Sequence, residues 1–272
     1  RTFNGHIRRW RVGKFVMDSF ALTEISRVLA ALALVLFAAL ISRWQAVNLE
    51  RQMLIATARA FVQLIAIGFA LDLIFAADHP AAILLIIGVM VAIAGHTSGT
   101  RAVGVPHARR VALSAISIGA LLTLGLLVGL GIFQFTAQQT IPIAGMVIGN
   151  SMNVCTLVMR RIQDEIEARR AEIEAALALG ATGRQALAPY LKIALQSGMT
   201  PIIDTTKTVG LIQLPGAMTG MILAGASPLE AVQLQIIVMY MLIGAAAFTG
   251  LAAAWLTQRQ FITPNHQLRQ PN

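Results

Sequence analysis

Long continuous runs of apolar residues dominate the chain and are separated by short polar connections. A helix rises about 1.5 Å per residue, so roughly 20 apolar residues are needed to cross a hydrocarbon core of about 30 Å. The runs show no period-two alternation, which favours helices over the strands of a barrel. By this measure the sequence predicts seven transmembrane helices, over residues 21–41, 53–76, 80–95, 111–133, 141–159, 205–226 and 231–257.

The composition supports the same class of protein. Hydrophobic residues make up 57% of the 272 residues and charged residues only 12%, which is about half the charged share of an ordinary soluble domain. So few charges cannot cover a soluble fold. The single cysteine, Cys155, excludes an internal disulfide. We therefore expect an all-α integral membrane protein that lies in a lipid bilayer.

The basic residues behind the net charge of +9 are unevenly distributed among the connections between the predicted spans. The connections near 77–80, 134–140 and 226–230 contain no Lys or Arg. Because basic loops stay in the cytoplasm, this asymmetry predicts an outside N-terminus and a cytoplasmic tail over 261–272. The membrane we expect for the chain is a bacterial inner membrane. The charge therefore reflects loop topology, and no nucleic-acid partner is expected. The connections on the opposite side, which follow the first, third and fifth predicted spans, carry the basic residues Arg43, Arg51, Arg101, Arg109, Arg110, Arg160, Arg161, Arg169, Arg170, Arg184 and Lys192.

Residues 1–16 do not fit this topology. They contain five basic residues on the side that should be poor in them, and Met17 resembles a natural start. We interpret 1–16 as an N-terminal extension outside the fold, added upstream or left by processing. The alternative is a cleaved signal or a basic anchor, but the segment lacks an apolar core.

Charge is dense only in the cytoplasmic segment 160–200. Gly180 is a natural helix stop, and Thr182 with Gln185 has the spacing of a capping box. The segment therefore predicts an amphipathic helix, a sharp turn and a second helix that returns to the membrane. A protein partner is the favoured ligand of this surface, and an interfacial helix on lipid is the alternative. Four apolar side chains fall within about 60° of one another on the first helix, namely Ile162, Ile166, Ile173 and Leu177.

The sequence EAALALG over 174–180 resembles the EAA loop of ABC transporter permeases. Its matching residues are Glu174, Ala175, Ala176 and Gly180. In those proteins the loop is the coupling helix that docks onto the ATP-hydrolysing subunit. The resemblance implies the same ATPase-coupling role for these four residues, and an ABC ATPase subunit as partner.

Three further segments, over 59–64, 145–153 and 205–220, are similar to the FetB-type family of permeases. Iron export is attributed to that family, and plant aluminium-tolerance membrane proteins belong to it. The resemblance covers about 17–260. It implies a permease subunit, present as a homodimer, that works with a separate ATPase and exports a metal ion such as iron.

The chain has no G-x-x-x-x-G-K-[ST] motif, and the segment GHTSGTR over 95–101 lacks the glycine spacing and the lysine that cradle phosphates. We therefore expect ATP and Mg²⁺ on the partner subunit and no cofactor on this chain. The chain also lacks a metal-hydrolase pattern and a nucleophile elbow, so we expect a transport subunit and not an enzyme.

Polar side chains within apolar spans are costly, and each is a candidate for the translocation pathway. Each candidate also has a structural explanation. Arg59 could extend to lipid phosphates, and Asp204 and Lys207 could form a purely structural pair at i, i+3. The mid-span amides could hold helices together. Pro201 and Pro215 interrupt the helix that carries the acidic and basic pair. The candidates are Arg59, Gln63, Asn150, Asn153, Asp204 and Lys207.

Met146, Met152 and Cys155 are weak metal-ligand candidates close to the two asparagines. Their soft sulfur atoms suit Cu(I), whereas amides are weak ligands for Fe(II). The iron assignment therefore rests on the resemblance alone. Two other functions stay open at this point: an ABC permease for an organic substrate such as a nucleotide sugar, and an ATP-independent channel or secondary transporter.

Overall fold

The computed structural model describes residues 27–77, 79–263 and 267–269. The proposed extension 1–16, the first part of the predicted span 21–41 and the rest of the tail lie outside the described residues. The described chain is helical and has no β-strand, which confirms the all-α fold class. Its helices are α1 (Arg27–Trp44), α2 (Glu50–Ala77), α3 (Pro80–Arg101), α4 (Ala108–Gly129), α5 (Ala137–Ala168), α6 (Arg170–Ala178), α7 (Gly183–Thr208), α8 (Gly216–Leu223) and α9 (Pro228–Phe261).

Six of these helices are long and apolar enough to cross a membrane, namely α1–α5 and α9. They lie where six of the seven spans were predicted. α3 extends six residues past the predicted end at 95, to Arg101, because small residues continue its packing surface. At Gly99, for example, an added Cβ would lie 2.5 Å from the Cα of Arg109 in α4.

The predicted sixth span, 205–226, is not a continuous helix. α7 ends at Thr208, the loop 209–215 follows, and α8 begins at Gly216. Gly210 has a φ of +82°, and its N–H donates to the carbonyl of Gln213, which closes a local turn. Pro215 then supplies the N-cap of α8 because its fixed φ suits the start of a helix but not its interior. The predicted total of seven spanning helices is therefore not confirmed.

The predicted boundary at 159 between the fifth span and the cytoplasmic segment also differs from the structure. α5 is 32 residues long and continues past 159 to Ala168, and the chain breaks at Arg169 before α6. The reason is that Ile162 and Ile166, assigned to a separate amphipathic helix, continue the buried face of α5. The predicted stop and restart are confirmed: Gly180 has a φ of +92°, and Thr182 and Gln185 form a capping box.

The chain forms two compact units, one containing α1 and α2 and the other containing α3–α9. In the second unit α5 packs against α3, α4, α7 and α9, and is the central helix of a bundle. Small residues allow close contacts there: Gly198 of α7 lies against Val158 of α5, and Gly119 of α4 lies against Thr249 of α9. The short helix α8 packs on α9, and α6 packs on α7.

Candidate functional site

Hydroxyl groups on α5 connect it to its neighbours inside the bundle. The Thr249 hydroxyl of α9 donates to Ser151 Oγ at 2.9 Å. The Thr156 hydroxyl donates to the Met152 carbonyl of its own helix at 2.7 Å, and its oxygen lies 2.9 Å from Ser98 Oγ of α3, which can donate to it. All four hydroxyl side chains are buried. In an apolar environment each hydroxyl needs a partner, and here each has a partner on another helix. These polar groups are therefore part of the packing of the bundle.

The two asparagines of α5 have different environments. The Asn150 side chain is half-buried, and its Nδ2 donates to the backbone carbonyl of Leu242 in α9 at 3.0 Å. Asn153 is exposed, on a stripe of α5 that also carries Leu157, Arg160 and Asp164. An exposed amide at membrane depth requires water, cargo or another polar surface. Of the two, Asn153 has the surroundings expected of a pathway residue.

Asp204 and Lys207 form an ion pair on α7 at 3.1 Å, with side chains 58% and 69% exposed. The pair lies in the last turns of α7, immediately before the loop 209–215. The predicted i, i+3 pairing is therefore present. Its exposure leaves both charged groups accessible from outside the bundle.

Asn153 and the Asp204 pair lie at a similar depth. α7 contacts α6 through Tyr190 and Glu172, just beyond the end of α5, and then passes Val158 at Gly198, so α5 and α7 are antiparallel. At about 1.5 Å per residue, Asn153 lies roughly 7 to 8 Å from that crossing and Asp204 about 9 Å from it. The exposed polar groups of the two helices thus share one level of the bundle.

The soft sulfur donors do not form a common ligand set. Cys155 is completely buried and hydrogen bonds with Ser98, whereas Met146 and Met152 are half-buried. Across the described residues there is no group of three or more His, Cys, Asp or Glu side chains that could hold a metal ion.

Arg59 and Gln63 lie one turn apart on exposed surface of α2, in the unit formed by α1 and α2. The shared face predicted from their spacing follows from the helical backbone. Both side chains are accessible, so a role in the pathway and a contact with lipid phosphates are both compatible with their exposure.

The residues of the predicted coupling motif lie on α6 and the turn after it. Glu174 is 53% exposed and pairs with Arg170 at 2.9 Å. Ala175 and Gly180 are exposed, and Ala176 is half-buried. Leu179 is 89% exposed at the tip of the turn. A large apolar side chain exposed beside a charged one is typical of a protein-docking surface.

A small polar network holds α6 against α7. The Tyr190 hydroxyl of α7 donates to one carboxylate oxygen of Glu172 at 3.1 Å, and Arg169 donates to the other at 3.0 Å. These hydrogen bonds, first from Arg169 and then from Tyr190, lower the pKa of Glu172 below its ordinary value. Burial and the neighbouring Glu172 carboxylate raise the pKa of Tyr190. The network fixes the orientation of the exposed motif.

Comparison with known protein families gives a match over most of the chain. The profile of an uncharacterised protein family, UPF0014, matches residues 25–262. The chain belongs to the UPF0014 family. The match includes every described helix, and with them the polar residues of α5, α6 and α7, which confirms the predicted family. The chain is thus a multi-pass membrane protein of this family.

Relatives in this family come from plants and bacteria. The chain is 46% identical to the protein ALUMINUM SENSITIVE 3 of Arabidopsis thaliana over 240 residues. This aligned region covers 88% of each chain. It is 46% identical over 247 residues to the UPF0014 membrane protein STAR2 of Oryza sativa, covering 91% of this chain and 87% of the relative. It is 36% identical over 252 residues to a protein named "Probable iron export permease protein FetB" of Escherichia coli, covering 93% and 97%. No solved structure matches the chain significantly.

Three residues with roles in these arrangements did not emerge from the sequence. Ser98 of α3 and Thr249 of α9 form hydrogen bonds with hydroxyl groups of α5. Their only signal in the sequence was a hydroxyl inside an apolar run. Leu179 forms the exposed tip of the turn, and its position immediately before the helix-stopping glycine could have identified it. Pairing and exposure depend on which helices meet, so sequence spacing alone did not reveal these roles.

Proposed function

We propose that this chain is the membrane permease subunit of an ABC transporter. Two copies of the chain would work with two separate ATPase subunits in the inner membrane of a bacterium and export a metal ion such as iron. ATP and Mg²⁺ would be bound by the ATPase. This chain would supply the pathway and the surface that couples it to ATP hydrolysis.

The observation that carries the proposal is the structure of the 170–183 segment. α6 and the following turn present Glu174, Ala175 and Leu179 outward, and a polar network orients them. Gly180 has a left-handed φ that a residue with a side chain adopts at a cost, and its own surroundings are open. A small, oriented and exposed helix–turn unit suits insertion into a groove of a partner.

The cargo is proposed from the relative named as a permease for iron export. Asn153 and the Asp204–Lys207 pair support a polar route along α5 and α7, because exposed amide and charged groups are unfavourable against lipid tails. Weak oxygen ligands are consistent with a route that an ion must also leave. One copy offers one coupling segment, so two copies would be needed to engage two ATPase subunits.

The coupling role can be tested by co-purification with a candidate ABC ATPase subunit co-expressed with this chain. We expect Glu174→Arg and Leu179→Glu to abolish retention of the ATPase, because each places an unfavourable charge in the interface. Leu179→Glu leaves the backbone of the turn intact, whereas Gly180→Leu would also strain it. Asp164→Arg, a charge reversal on an exposed site of α5, is the matched control and should retain the ATPase.

All variants must reach the membrane in equal amounts for the comparison to be valid. Stoichiometric retention of the ATPase by both Glu174→Arg and Leu179→Glu would show that α6 and its turn are not the docking surface. Equal loss with Asp164→Arg would show a general effect of surface charge and would contradict the proposal as well.

A further inference from the structure

A cleft of about 870 Å³ lies between the first half of α7 and the last turns of α9. α7 contributes residues at 184, 188, 191, 192 and 195, and α9 contributes residues at 251, 254, 255, 258 and 259, with Ile262 following at its C-cap. Each set has the i, i+3, i+4, i+7 spacing of a single helix face. The cleft is thus formed by two facing helix surfaces and is not an irregular gap between loops.

The start of α7 is held close to the end of α9 at the outer mouth of the cleft. An added Cβ at Gly183 would lie 2.7 Å from Ile262, so only glycine permits this approach. Gln258 Nε2 also donates to the Gly183 carbonyl at 3.5 Å. The mouth therefore has a defined geometry.

Four cationic side chains line the cleft, and no acidic residue lines it: Arg184, Lys192, Arg259 and Arg269. All four are exposed. In the part of the chain that the structure describes, none of the four forms an ion pair; the pairs found there involve other cations. Four unneutralised positive charges around one cavity attract an anion.

The lining changes character along the cleft. Arg184 and Arg259 lie toward the mouth, whereas Leu195 and Leu251 lie toward the bundle, where Gly250 packs on Leu195. Both helices show the same order from charged to apolar, although they run in opposite directions. A ligand that fills the cleft must be anionic at one end and apolar at the other.

An aromatic and cationic pair places the cleft at the membrane surface. The guanidinium of Arg259 stacks over the Trp255 ring at 3.6 Å from its centroid. Trp255 is 51% exposed. Tryptophan concentrates at the boundary between hydrocarbon and headgroups, and basic side chains reach the phosphate level there.

We propose that this cleft is a binding site for one anionic phospholipid. The cationic side chains attract the phosphate of the headgroup, and an acyl chain lies along Leu191, Leu195 and Leu251. A free phosphate shares the anionic chemistry but would leave the apolar half of the cleft unfilled. Because Thr182 and Gly183 line the same cleft, the bound lipid lies beside the turn that carries Gly180.

The test uses Trp255 as a reporter in the full chain without ATPase or metal. The sequence has three tryptophans, so Trp10→Phe with Trp44→Phe leaves Trp255 alone. The protein in detergent micelles is titrated with phosphatidylglycerol or phosphatidylcholine carrying brominated acyl chains, which quench tryptophan on contact. We expect phosphatidylglycerol to quench at a several-fold lower mole fraction than phosphatidylcholine.

The variant Arg184→Gln/Lys192→Gln should remove most of that preference. A basic residue near a membrane surface contributes about fivefold to the binding of an anionic lipid. The matched control is Arg101→Gln/Arg160→Gln, two exposed cations outside the cleft, which should keep the preference for phosphatidylglycerol. Each titration is normalised to the unquenched fluorescence of its own variant.

Four results would overturn the lipid site. They are equal quenching by the two lipids, an equal loss of preference in the control variant, and displacement of phosphatidylglycerol by millimolar inorganic phosphate. The fourth is an Arg184→Gln/Lys192→Gln variant that keeps its lipid preference in the fluorescence assay but loses the ATPase in a separate co-purification, because the cleft would then be a protein-docking surface. Since the fluorescence assay contains no ATPase and no metal, its failure is separate from a failure of the proposed transport function.

Discussion

At the residue scale, the two asparagines of α5 differ: one bonds to a neighbouring helix and the other faces outward. Asn150 donates to the Leu242 carbonyl, whereas Asn153 is exposed on the stripe with Leu157. Interhelical hydrogen bonds in membranes average only about 0.6 kcal/mol. Loss of a structural amide should therefore cost little stability, and loss of a pathway group should change transport far more than folding.

The first prediction concerns the pathway residues. We expect Asn153→Ala and Asp204→Asn to keep the melting temperature and the basal ATPase rate with the partner, and to lose most stimulation by Fe²⁺. Both side chains are exposed, so their removal leaves no cavity. Asn150→Ala is the comparison, with a small loss of stability because its bond to α9 is lost. Stimulation that survives in Asn153→Ala and Asp204→Asn, or falls only with stability, would place the route elsewhere.

The second prediction follows from the lowered pKa of Glu172. The carboxylate is the favoured form in the folded chain because Arg169 and Tyr190 donate to it. Its contribution to holding α6 is therefore fully present above the ordinary pKa of 4.5 and is lost as the pH falls through the lowered folded-state pKa.

Hydrogen exchange over 170–179, corrected for the intrinsic effect of pH, is the measurement. Protection should drop as the pH falls below about 4.5, and Tyr190→Phe should weaken protection at neutral pH. Glu172→Gln should remove the pH dependence. A drop of the same size in the Glu172→Gln protein would assign it to another group.

At the element scale, glycine decides where helices meet. Gly198 of α7 lies against Val158 and the carbonyl of Val154, so the two helices leave no space for a side chain. Gly125 of α4 has no atom within 4 Å of the position of an added Cβ. Glycine therefore has opposite roles at these two positions: it permits a close helix contact in α7 and meets open space in α4.

The third prediction compares these two glycines. Gly198→Ala should destabilise the protein by about 1 to 3 kcal/mol, the usual cost of inserting a methyl group into a packed contact. Gly125→Ala should be neutral or stabilising by up to about 1 kcal/mol, because alanine is the better helix former. Thermal melting in one detergent measures both. Equal effects of the two substitutions would contradict the close α5–α7 contact.

At the scale of the whole molecule, the orientation of the chain in the membrane is a prediction from its charges. The described helices include six of membrane-spanning length and a broken segment over 205–226. Charge asymmetry predicts that the tail is cytoplasmic and that the connection before α5 is outside. That predicted orientation puts α6 on the cytoplasmic side, where the proposed ATPase partner would bind.

The fourth prediction tests this orientation with single cysteines. Gln138 and Gln267 are exposed at opposite ends of the predicted topology, and Cys155→Ser removes the native thiol. In intact cells, an impermeant thiol reagent should label Gln138→Cys and not Gln267→Cys. After permeabilisation both should react. Labelling of Gln267→Cys alone in intact cells would reverse the topology and would remove the proposed ATPase contact.

Local signals in the sequence were sufficient for the membrane class, the all-α fold and the place of six helices. Hydrophobic run length depends on lipid thickness and not on tertiary contacts, so it could be read directly. The turn after α6 was equally local: Gly180 and the Thr182–Gln185 capping box involve only neighbouring residues. The family resemblance was likewise visible in motifs over 145–153 and 205–220.

Only the tertiary structure decided where helices break and which polar groups face each other. Nothing local indicated that Ile162 and Ile166 would continue the buried face of α5, because burial depends on the neighbouring helices. The same holds for Asn150, whose partner Leu242 is 92 residues away, and for the basic cleft shared by α7 and α9. Periodicity assigns a residue to a helix face, but the packing of distant helices determines whether that face is covered, paired or open.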